Sequence, residues 1–291
     1  MNLNTKMNRK EVYDMNKTTH NTIEYFKDKA NKYDLVEEQV YWQLSDQLLW
    51  KAFKKEILDK LPANFTFFDA GGGTGRWSLK ILQEYPNSKG YTYDLSKDML
   101  EQALHKRESN MLESRWTIQQ GDLHNIKDVQ VESIDVCFNF HNVLGFVEEP
   151  LKVLKEVTKL LKPNGYLVSF TPNLYHALYF NISLGRIEEA QKLTNGKGRF
   201  TLEMPDIYMF TPQQLQEYYK DCGLNVTSLK GFPAFIYPGF LETQIEGNTQ
   251  TLSEVLSDSQ VFKQILDLES LYLDVEELVS RGNNIFIVGQ K

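Results

Sequence analysis

One glycine-rich stretch indicates the fold class of this chain: Asp69-Ala70-Gly71-Gly72-Gly73-Thr74-Gly75. A short run of β-forming residues, 65–69, leads into it, and an apolar pattern of helical period follows over residues 77–85. Glycines tolerate positive φ and let a ligand approach the bare backbone. The start of the following helix offers unpaired N–H groups to an anion. The stretch therefore predicts a nucleotide-like cofactor at the carboxyl edge of a parallel sheet.

Strand-like and helical segments alternate on both sides of this stretch. The strand-like segments are residues 65–69, 90–94, 116–119, 134–140, 166–170, 225–229 and 284–288. The helical segments are residues 36–61, 77–85, 96–107, 148–161 and 211–222. Strands that alternate with helices of this length form parallel βαβ units, so the chain is predicted to be an α/β protein with a doubly wound sheet covered on both faces.

Two connections, residues 172–210 and 231–283, are too long for this alternation. Connections of that length are uncommon in compact domains and are usually lids, so together with the N-terminal helix they predict a cap over the carboxyl edge of the sheet. The predicted organisation is a flexible tail (1–20), a helical cap segment (21–60), a cofactor-binding core (61–171), a cap insertion (172–210), a core helix and strand (211–230), a second, acidic helical insertion (231–283) and the last core strand (284–291).

The spacing of the glycines narrows the choice of cofactor. A dinucleotide fingerprint, G-x-G-x-x-G, needs a glycine where this chain has Arg76 or Thr74, and the phosphate loop GxxxxGK[ST] is absent. The pattern that is present, acid-x-G-x-G-x-G, resembles the first motif of the class I S-adenosylmethionine-dependent methyltransferases. The resemblance implies a seven-stranded Rossmann-like methyltransferase sheet with helical insertions. A dinucleotide oxidoreductase is disfavoured by the spacing.

Further segments resemble the same family in the same order. Asp94 ends the second strand 19 residues after Gly75, where the family places an acid on the ribose hydroxyls, and the stretch 160–166, LLKPNGY, resembles its turn into strand five. The segment 25–34 resembles a common N-terminal helix whose tyrosine closes over the cofactor. The resemblance thus implies S-adenosylmethionine as cofactor and S-adenosylhomocysteine as product, bound by Tyr33, Asp69, Ala70, Gly71, Gly73, Gly75, Asp94, Leu95, Met99, Gly121, Asp122, Leu123 and Asn139.

Methyl transfer from a sulfonium is an in-line displacement that depends first on alignment, so it has no obligatory catalytic side chain. A base is needed only when the attacking atom carries a proton of high pKa. His141, after strand four, and His176, after strand five, are the predicted bases or acceptor contacts, in that order. His124 is assigned to the adenine side. A structural, hydrogen-bonded histidine is the alternative for each.

Composition bears on the methyl acceptor. The chain has 32 basic and 39 acidic residues, a net charge of −7, and residues 241–280 hold nine acids against one base. Nucleic-acid affinity rests largely on Lys and Arg, and the DNA amino-methyltransferase signature [NDS]-P-P-[YF] is missing after strand four. Aromatic residues are enriched between positions 174 and 240, as a second core or as a binding box. We therefore expect a small organic acceptor methylated on oxygen or nitrogen, and no nucleic-acid partner.

Other functions and partners stay open at this point. The alternatives are a tRNA or protein methyltransferase and a non-catalytic cofactor-binding accessory protein. The acidic insertion is either a solvated helix face or a cap that favours neutral or cationic acceptors. The helical pattern over residues 261–279 could serve as a lid or as a homodimer contact. Cys137 and Cys222 have no metal-ligand spacing, and the polar N-terminus lacks an apolar signal region, so we expect no metal, no membrane partner and a reducing cytoplasm.

Overall fold

A seven-stranded sheet forms the centre of the protein, as described by a computed structural model for residues 17–27, 29–30, 32–237 and 255–291. The strands are β1 (Thr66–Ala70), β2 (Lys89–Asp94), β3 (Trp116–Gln120), β4 (Ile134–Asn139), β5 (Leu161–Pro172), β8 (Asn225–Phe232) and β9 (Asn284–Gln290), and β6 (Lys197–Gly198) and β7 (Ile207–Tyr208) form a separate two-stranded ribbon. The order across the large sheet is β3-β2-β1-β4-β5-β9-β8. The predicted α/β, doubly wound class is confirmed.

The strand directions place the cofactor site. Strands β1 to β5 are parallel, and β9 runs antiparallel between β5 and β8. The chain builds the sheet outward from β1 to β3 and then returns to lay β4 on the other side of β1. The crevice at the carboxyl ends of β1 and β4 is the point where strand order reverses, which is where ligands bind in such sheets.

The helices cover both faces of the sheet. Their bounds are α1 Lys17–Lys27, α2 Val40–Glu56, α3 Arg76–Glu84, α4 Lys97–Ser109, α5 Val143–Phe146, α6 Pro150–Leu160, α7 Leu174–Ser183, α8 Ile187–Lys192, α9 Pro212–Asp221 and α10 Ser259–Leu271. Neighbouring residues of one strand serve opposite cores: Phe67 packs with α2 and α3, whereas Phe68 packs with α6 and α9. This alternation explains why the aromatic run before the glycines is buried on both sides.

Most predicted helices are present with shifted ends. The helix predicted over residues 36–61 is α2 alone, flanked by the 3₁₀ helices Tyr33–Glu38 and Leu58–Lys60. Side chains cap two of these helices: Ser96 accepts a hydrogen bond from the Met99 N–H at the start of α4, and Thr211 accepts one from the Gln214 N–H at the start of α9. The helix predicted over 148–161 begins only at Pro150, whose ring favours the first helical turn.

The two insertions hold helices and a short ribbon. Residues 172–210 contain α7, α8 and the β6–β7 ribbon around a small core of their own that includes Leu193 and Ile207. Of the second insertion the structure describes α10 and the 3₁₀ helix Glu276–Arg281, and residues 238–254 lie outside the described residues. The predicted tail is described only from Lys17, where α1 begins.

The acids of the second insertion are only partly a solvated face. Glu269 is buried and accepts hydrogen bonds from three backbone N–H groups, and Asp274 pairs with Lys230 and Lys55. Glu242, Glu246 and Glu254 lie outside the described residues. Among the residues that are described, no helix is long and apolar enough to cross a membrane.

Candidate active site

The glycine loop between β1 and α3 presents bare backbone to a pocket. Gly71 (φ 74°) and Gly73 (φ 52°) have left-handed conformations that other residues rarely adopt. A Cβ atom on Gly71 would lie 2.5 Å from Cγ1 of Val143, so the loop also fits closely against α5. The Gly71 N–H donates to the Tyr93 carbonyl over 2.7 Å, which ties the loop to the end of β2. Gly71, Gly72 and Gly73 line the pocket.

Asp94, at the end of β2, presents its carboxylate to this pocket. Its Oδ2 accepts the Gly73 N–H over 2.9 Å and its Oδ1 accepts the Ser96 N–H over 2.8 Å. A carboxylate has about four lone-pair sites, so two remain for ligand hydroxyl groups. Burial raises the pKa of Asp94, and the backbone N–H groups act against that rise. The arrangement suits a vicinal diol.

Asp69 holds the base of the loop. It is buried, and its Oδ2 accepts the Ser78 hydroxyl over 2.7 Å. Burial raises the pKa of Asp69 to about 7, and the Ser78 hydrogen bond opposes this rise. A Cβ on Gly72 would lie 2.6 Å from the same Oδ2. The carboxyl group thus packs under the loop and fixes its path.

Residues after β2 and β3 form the opposite side of the pocket. Leu95, Met99, Gly121 and Leu123 line it, together with Asp122. The Asp122 carboxylate accepts the backbone N–H of His124 over 2.9 Å and lies 2.7 Å from Nδ1 of its ring. These contacts lower the pKa of Asp122. An ionised carboxylate beside apolar side chains suits a flat base with an exocyclic amine.

The N-terminal segment closes the pocket through an acid next to Tyr33. Asp34 accepts the Thr74 hydroxyl over 2.7 Å, and its other oxygen pairs with the Lys106 ammonium. Lys106 also donates to the Thr74 carbonyl over 3.0 Å. The segment is therefore fastened to the glycine loop itself. Tyr33 and Phe26 line the pocket as a result, and burial raises the pKa of Tyr33 to about 12.

A buried polar network lies beside the pocket. The Arg76 guanidinium donates to Asp46 and to Glu37, and its Nη2 lies 3.0 Å from Nε2 of His141. The same Nε2 is 3.3 Å from Oδ1 of Asp46. Burial tends to raise the pKa of Asp46, but Arg76 and His141 outweigh it and lower that pKa to about 2. His141 also stacks on Trp77 with ring centroids 5.6 Å apart.

Comparison with known proteins identifies the family. A model described as a methyltransferase domain matches residues 61–252, about two thirds of the chain. The chain belongs to the methyltransferase-domain family. It is an S-adenosylmethionine-dependent methyltransferase of class I, as its sequence predicts.

Relatives of this methyltransferase have different named activities. The chain is 23% identical over 249 residues to the tRNA 5-carboxymethoxyuridine methyltransferase of Escherichia coli K12, covering 86% of this chain and 88% of that protein. It is 25% identical over 169 residues to the mitochondrial 2-methoxy-6-polyprenyl-1,4-benzoquinol methylase of Caenorhabditis elegans, covering 54% and 57%. The S-adenosylmethionine-dependent methyltransferase structure from Mesorhizobium loti matches with a TM-score of 0.54 at 16% identity, covering 85% and 100%. The acceptor therefore differs among proteins similar to this one.

The residues of this methyltransferase fit the cofactor of its family. The uncommitted lone pairs of Asp94 would hold the ribose diol, Asp122 would accept from the adenine amine, and the bare backbone at Gly71 and Gly73 would lie along the methionine part. When bound, S-adenosylmethionine supplies the electrophilic methyl group.

The structure brings most of the predicted site residues of the methyltransferase to one pocket, and leaves four elsewhere. Those that line it are Tyr33, Asp69, Gly71, Gly73, Asp94, Leu95, Met99, Gly121, Asp122, Leu123 and His141. Ala70 is buried in β1, and Asn139 is buried in β4. Gly75 instead gives room to Trp116, whose ring atom Cζ2 would be 2.4 Å from a Cβ there.

His176 is not brought to this pocket. It is buried in α7 among aromatic rings, the nearest being Tyr237 with centroids 4.8 Å apart. Burial lowers the pKa of His176 to about 4, so the ring is neutral at pH 7. The position of His176 after β5 is explained by apolar packing in the first insertion. Of the two predicted histidines, only His141 stays a candidate acceptor contact.

Sequence reasoning missed Arg76, Asp46 and Phe146. In the sequence, Arg76 stands out only because it occupies a glycine position of the dinucleotide fingerprint. Asp46 gave a usable signal, because it lies three and seven residues before the buried Leu49 and Phe53, on the edge of the apolar stripe of α2. An acid at such a position usually has a buried partner. Phe146 gave none.

A second cavity abuts the cofactor pocket of this methyltransferase. It encloses about 1060 Å³ of space, its open mouth included. Five residues line both cavities: Phe26, Tyr33, Arg76, His141 and Phe146. The second cavity continues along the N-terminal segment, the first insertion and the start of β9, where it is lined by Tyr25, Lys29, Val36, Trp42, Asp46, Asn142, Phe200, Thr201, Met204, Asn283 and Asn284.

Proposed function

We propose that this methyltransferase acts on a small organic acceptor, at an oxygen or a nitrogen atom. The second cavity carries the proposal, because it meets the cofactor pocket at His141 and Phe146 and is roofed by parts of the chain outside the core sheet. Its walls combine six Phe, Tyr and Trp side chains with polar groups that can orient a ligand, as in other small-molecule sites. The net charge of −7 also favours an acceptor other than a polyanion.

Methyl transfer requires mainly that the acceptor atom be aligned with the methyl group of the cofactor. The oxygen or nitrogen of the acceptor bonds to the methyl carbon as the methyl–sulfur bond breaks, the electron pair stays on sulfur, and the proton of the acceptor passes to water or to a side chain. Correct orientation alone can supply about 7–11 kcal/mol of the barrier. The aromatic rings Phe26, Tyr33 and Phe146 at the junction would exclude water and hold a flat acceptor in line.

His141 is proposed as an acceptor contact rather than as the base through Nε2. Its Nε2 lies 3.0 Å from Nη2 of Arg76 and 3.3 Å from Oδ1 of Asp46, so this nitrogen is already engaged by the polar network. Nδ1 is the ring nitrogen that is left to contact an acceptor atom. Asp46 and Arg76 act as positioning residues for this ring.

A tRNA acceptor is the second candidate. The observation that favours it is the similarity to the Escherichia coli tRNA methyltransferase, which extends over most of both chains. In that case the second cavity would receive a single extruded base, which is how enzymes reach a base for chemistry.

Radiolabel transfer distinguishes these functions. The purified protein is incubated with S-adenosyl-L-[methyl-³H]methionine and either a small-molecule extract or total tRNA from the same cell. We expect label in the small-molecule fraction. Label that precipitates with tRNA and is released by ribonuclease would establish the second candidate instead.

Cofactor binding is tested separately with S-adenosylhomocysteine. We expect Asp94→Asn to weaken its binding at least tenfold in calorimetry, since a charged acceptor of two hydroxyls is lost. Glu101→Gln on the exposed face of α4 is the matched control. Binding that is equal in both variants would contradict the cofactor assignment.

A further inference from the structure

Lys29 brings an ammonium group to the second cavity, and no described acid pairs with it directly. Apart from two tyrosines, four ionisable side chains line this cavity: Lys29, Asp46, Arg76 and His141. Arg76 is neutralised by Asp46 and by Glu37, whereas the Lys29 ammonium forms no ion pair or hydrogen bond within the part of the chain that the structure describes. A half-buried ammonium that no described acid neutralises directly is available to a negatively charged ligand.

The surroundings of Lys29 are those of a binding site and not of open solvent. Its Nζ lies 3.8 Å above the centre of the Tyr25 ring. Burial lowers the pKa of Lys29, which the exposed Glu203 only partly offsets. Tyr25 in turn stacks on Phe146, with centroids 6.0 Å apart and planes 28° apart. Phe146 lines both cavities, so one aromatic wall runs from the lysine to the cofactor pocket.

A row of amides supplies a neutral donor in the same cavity. Asn283 donates to Asn284 over 2.9 Å, and Asn284 donates to Oδ1 of Asn142 over 3.0 Å. These bonds fix the orientation of the Asn142 amide and leave its NH₂ group as a donor. All three residues line the cavity. Asn142 follows His141 directly and has a left-handed backbone conformation, with φ of 73°.

We propose that Lys29 binds a carboxylate of the methyl acceptor, so that the acceptors of this enzyme are small aromatic acids bearing a hydroxyl or amine at their other end. Lys29 lines only the second cavity, whereas His141 lies at the junction with the cofactor pocket. The charged end of the acceptor is therefore held away from the reacting end. The aromatic wall between them fits a planar body. This inference rests on the proposed small-molecule function.

The test compares acids with their uncharged analogues. A panel of hydroxybenzoates and aminobenzoates is assayed beside the corresponding benzamides, with S-adenosylmethionine saturating for turnover and S-adenosylhomocysteine saturating for binding by thermal shift. We expect acids of the panel to bind and to be methylated, and the amides to bind about 10- to 100-fold more weakly, since one charge-assisted contact is lost.

Substitution of the lysine identifies the contact. We expect Lys29→Met to raise KM for the acids about 10- to 100-fold while kcat and the affinity for S-adenosylhomocysteine stay unchanged, and Lys29→Arg to restore most of the affinity. The amides should not respond to either change. Lys27→Met, an exposed lysine on α1, is the matched control and should behave as wild type.

Several outcomes would overturn the inference. Acids that bind no better than amides, or a Lys29→Met variant that weakens both alike, would remove Lys29 as a carboxylate anchor. If no member of the panel binds while S-adenosylhomocysteine still does, the substrate class is wrong and the cofactor assignment is untouched. Label found only in tRNA would instead contradict the small-molecule function on which the inference rests.

Discussion

Arg76 shows how one residue can serve the core and the site together. Its side chain is largely enclosed at the start of α3, with 12% of its surface exposed, and its guanidinium joins Glu37 and Asp46 to the ring of His141. A lysine could not make these contacts at once, because only the guanidinium presents a planar fork of five donors. No local pattern predicts this network, since its outermost members, Glu37 and His141, lie more than a hundred residues apart in the sequence. The glycines and Asp94 were predictable because their roles follow from short-range spacing.

At the same scale, Asp69 should make stability depend on pH. Its folded pKa of about 7 lies above its ordinary value of 3.8, so the folded state binds a proton more tightly than the unfolded state does. The resulting stabilisation is complete below pH 3.8 and is lost as pH rises through 7. We expect the free energy of unfolding of the wild type, relative to Asp69→Asn, to fall by up to about 1.4 kcal/mol per pH unit across that window.

Urea denaturation of the cofactor-free protein from pH 4 to pH 8 measures this difference. Asp98→Asn, on α4, serves as the control and should follow the wild type at every pH. A difference between wild type and Asp69→Asn that is constant over pH, or that grows with pH, would show that Asp69 is ionised throughout.

Among the elements, the N-terminal segment has the clearest functional attachment. The sequence predicted that Tyr33 would close over the cofactor, and the pocket includes it. Asp34 holds this segment in place through its contacts with Thr74 and Lys106. The sequence does not predict these contacts, because the partners of Asp34 come from the glycine loop and α4. No residue of the 3₁₀ helix Tyr33–Glu38 is fully buried, so the position of this helix depends on such contacts.

Removal of this attachment should shorten the lifetime of the bound product. We expect Asp34→Ala to release S-adenosylhomocysteine about tenfold faster, since a partly buried ion pair and a hydrogen bond are lost. Glu38→Ala, an exposed acid on the same 3₁₀ helix, should leave the rate unchanged. Stopped-flow displacement measures both rates. Equal rates in the two variants would mean that the segment is held by other contacts.

In the whole molecule, the second insertion is joined to the sheet by buried charges. The Glu269 carboxylate accepts the backbone N–H groups of Ala234, Phe235 and Ile236, directly after β8. Lys230 is buried in β8 and pairs with Glu56 of α2 and with Asp274. In the sequence these acids look like a solvated stripe, because composition cannot tell a carboxylate that faces water from one that caps the backbone of a distant loop.

Loss of the Glu269 contacts should destabilise the fold without touching the cofactor site. We expect Glu269→Gln to lower the free energy of unfolding by about 2–4 kcal/mol, because an amide accepts fewer of these N–H groups and places its own NH₂ against them. Glu277→Gln, an exposed acid of the same insertion, should change it by less than about 0.5 kcal/mol. Urea denaturation measures the free energy of unfolding of both variants, and equal values would refute the structural role of Glu269.

The place of β9 in the sheet has a consequence for the growing polypeptide. β8 has its sheet neighbour in β9, which is synthesised about fifty residues later and then enters between β8 and β5. At about 5–20 residues per second, a ribosome needs roughly 3–10 s to make that stretch. During this interval β8 emerges with unpaired backbone groups, which favour pairing with other chains. Nascent copies on one messenger RNA are therefore most prone to associate just before β9 is made.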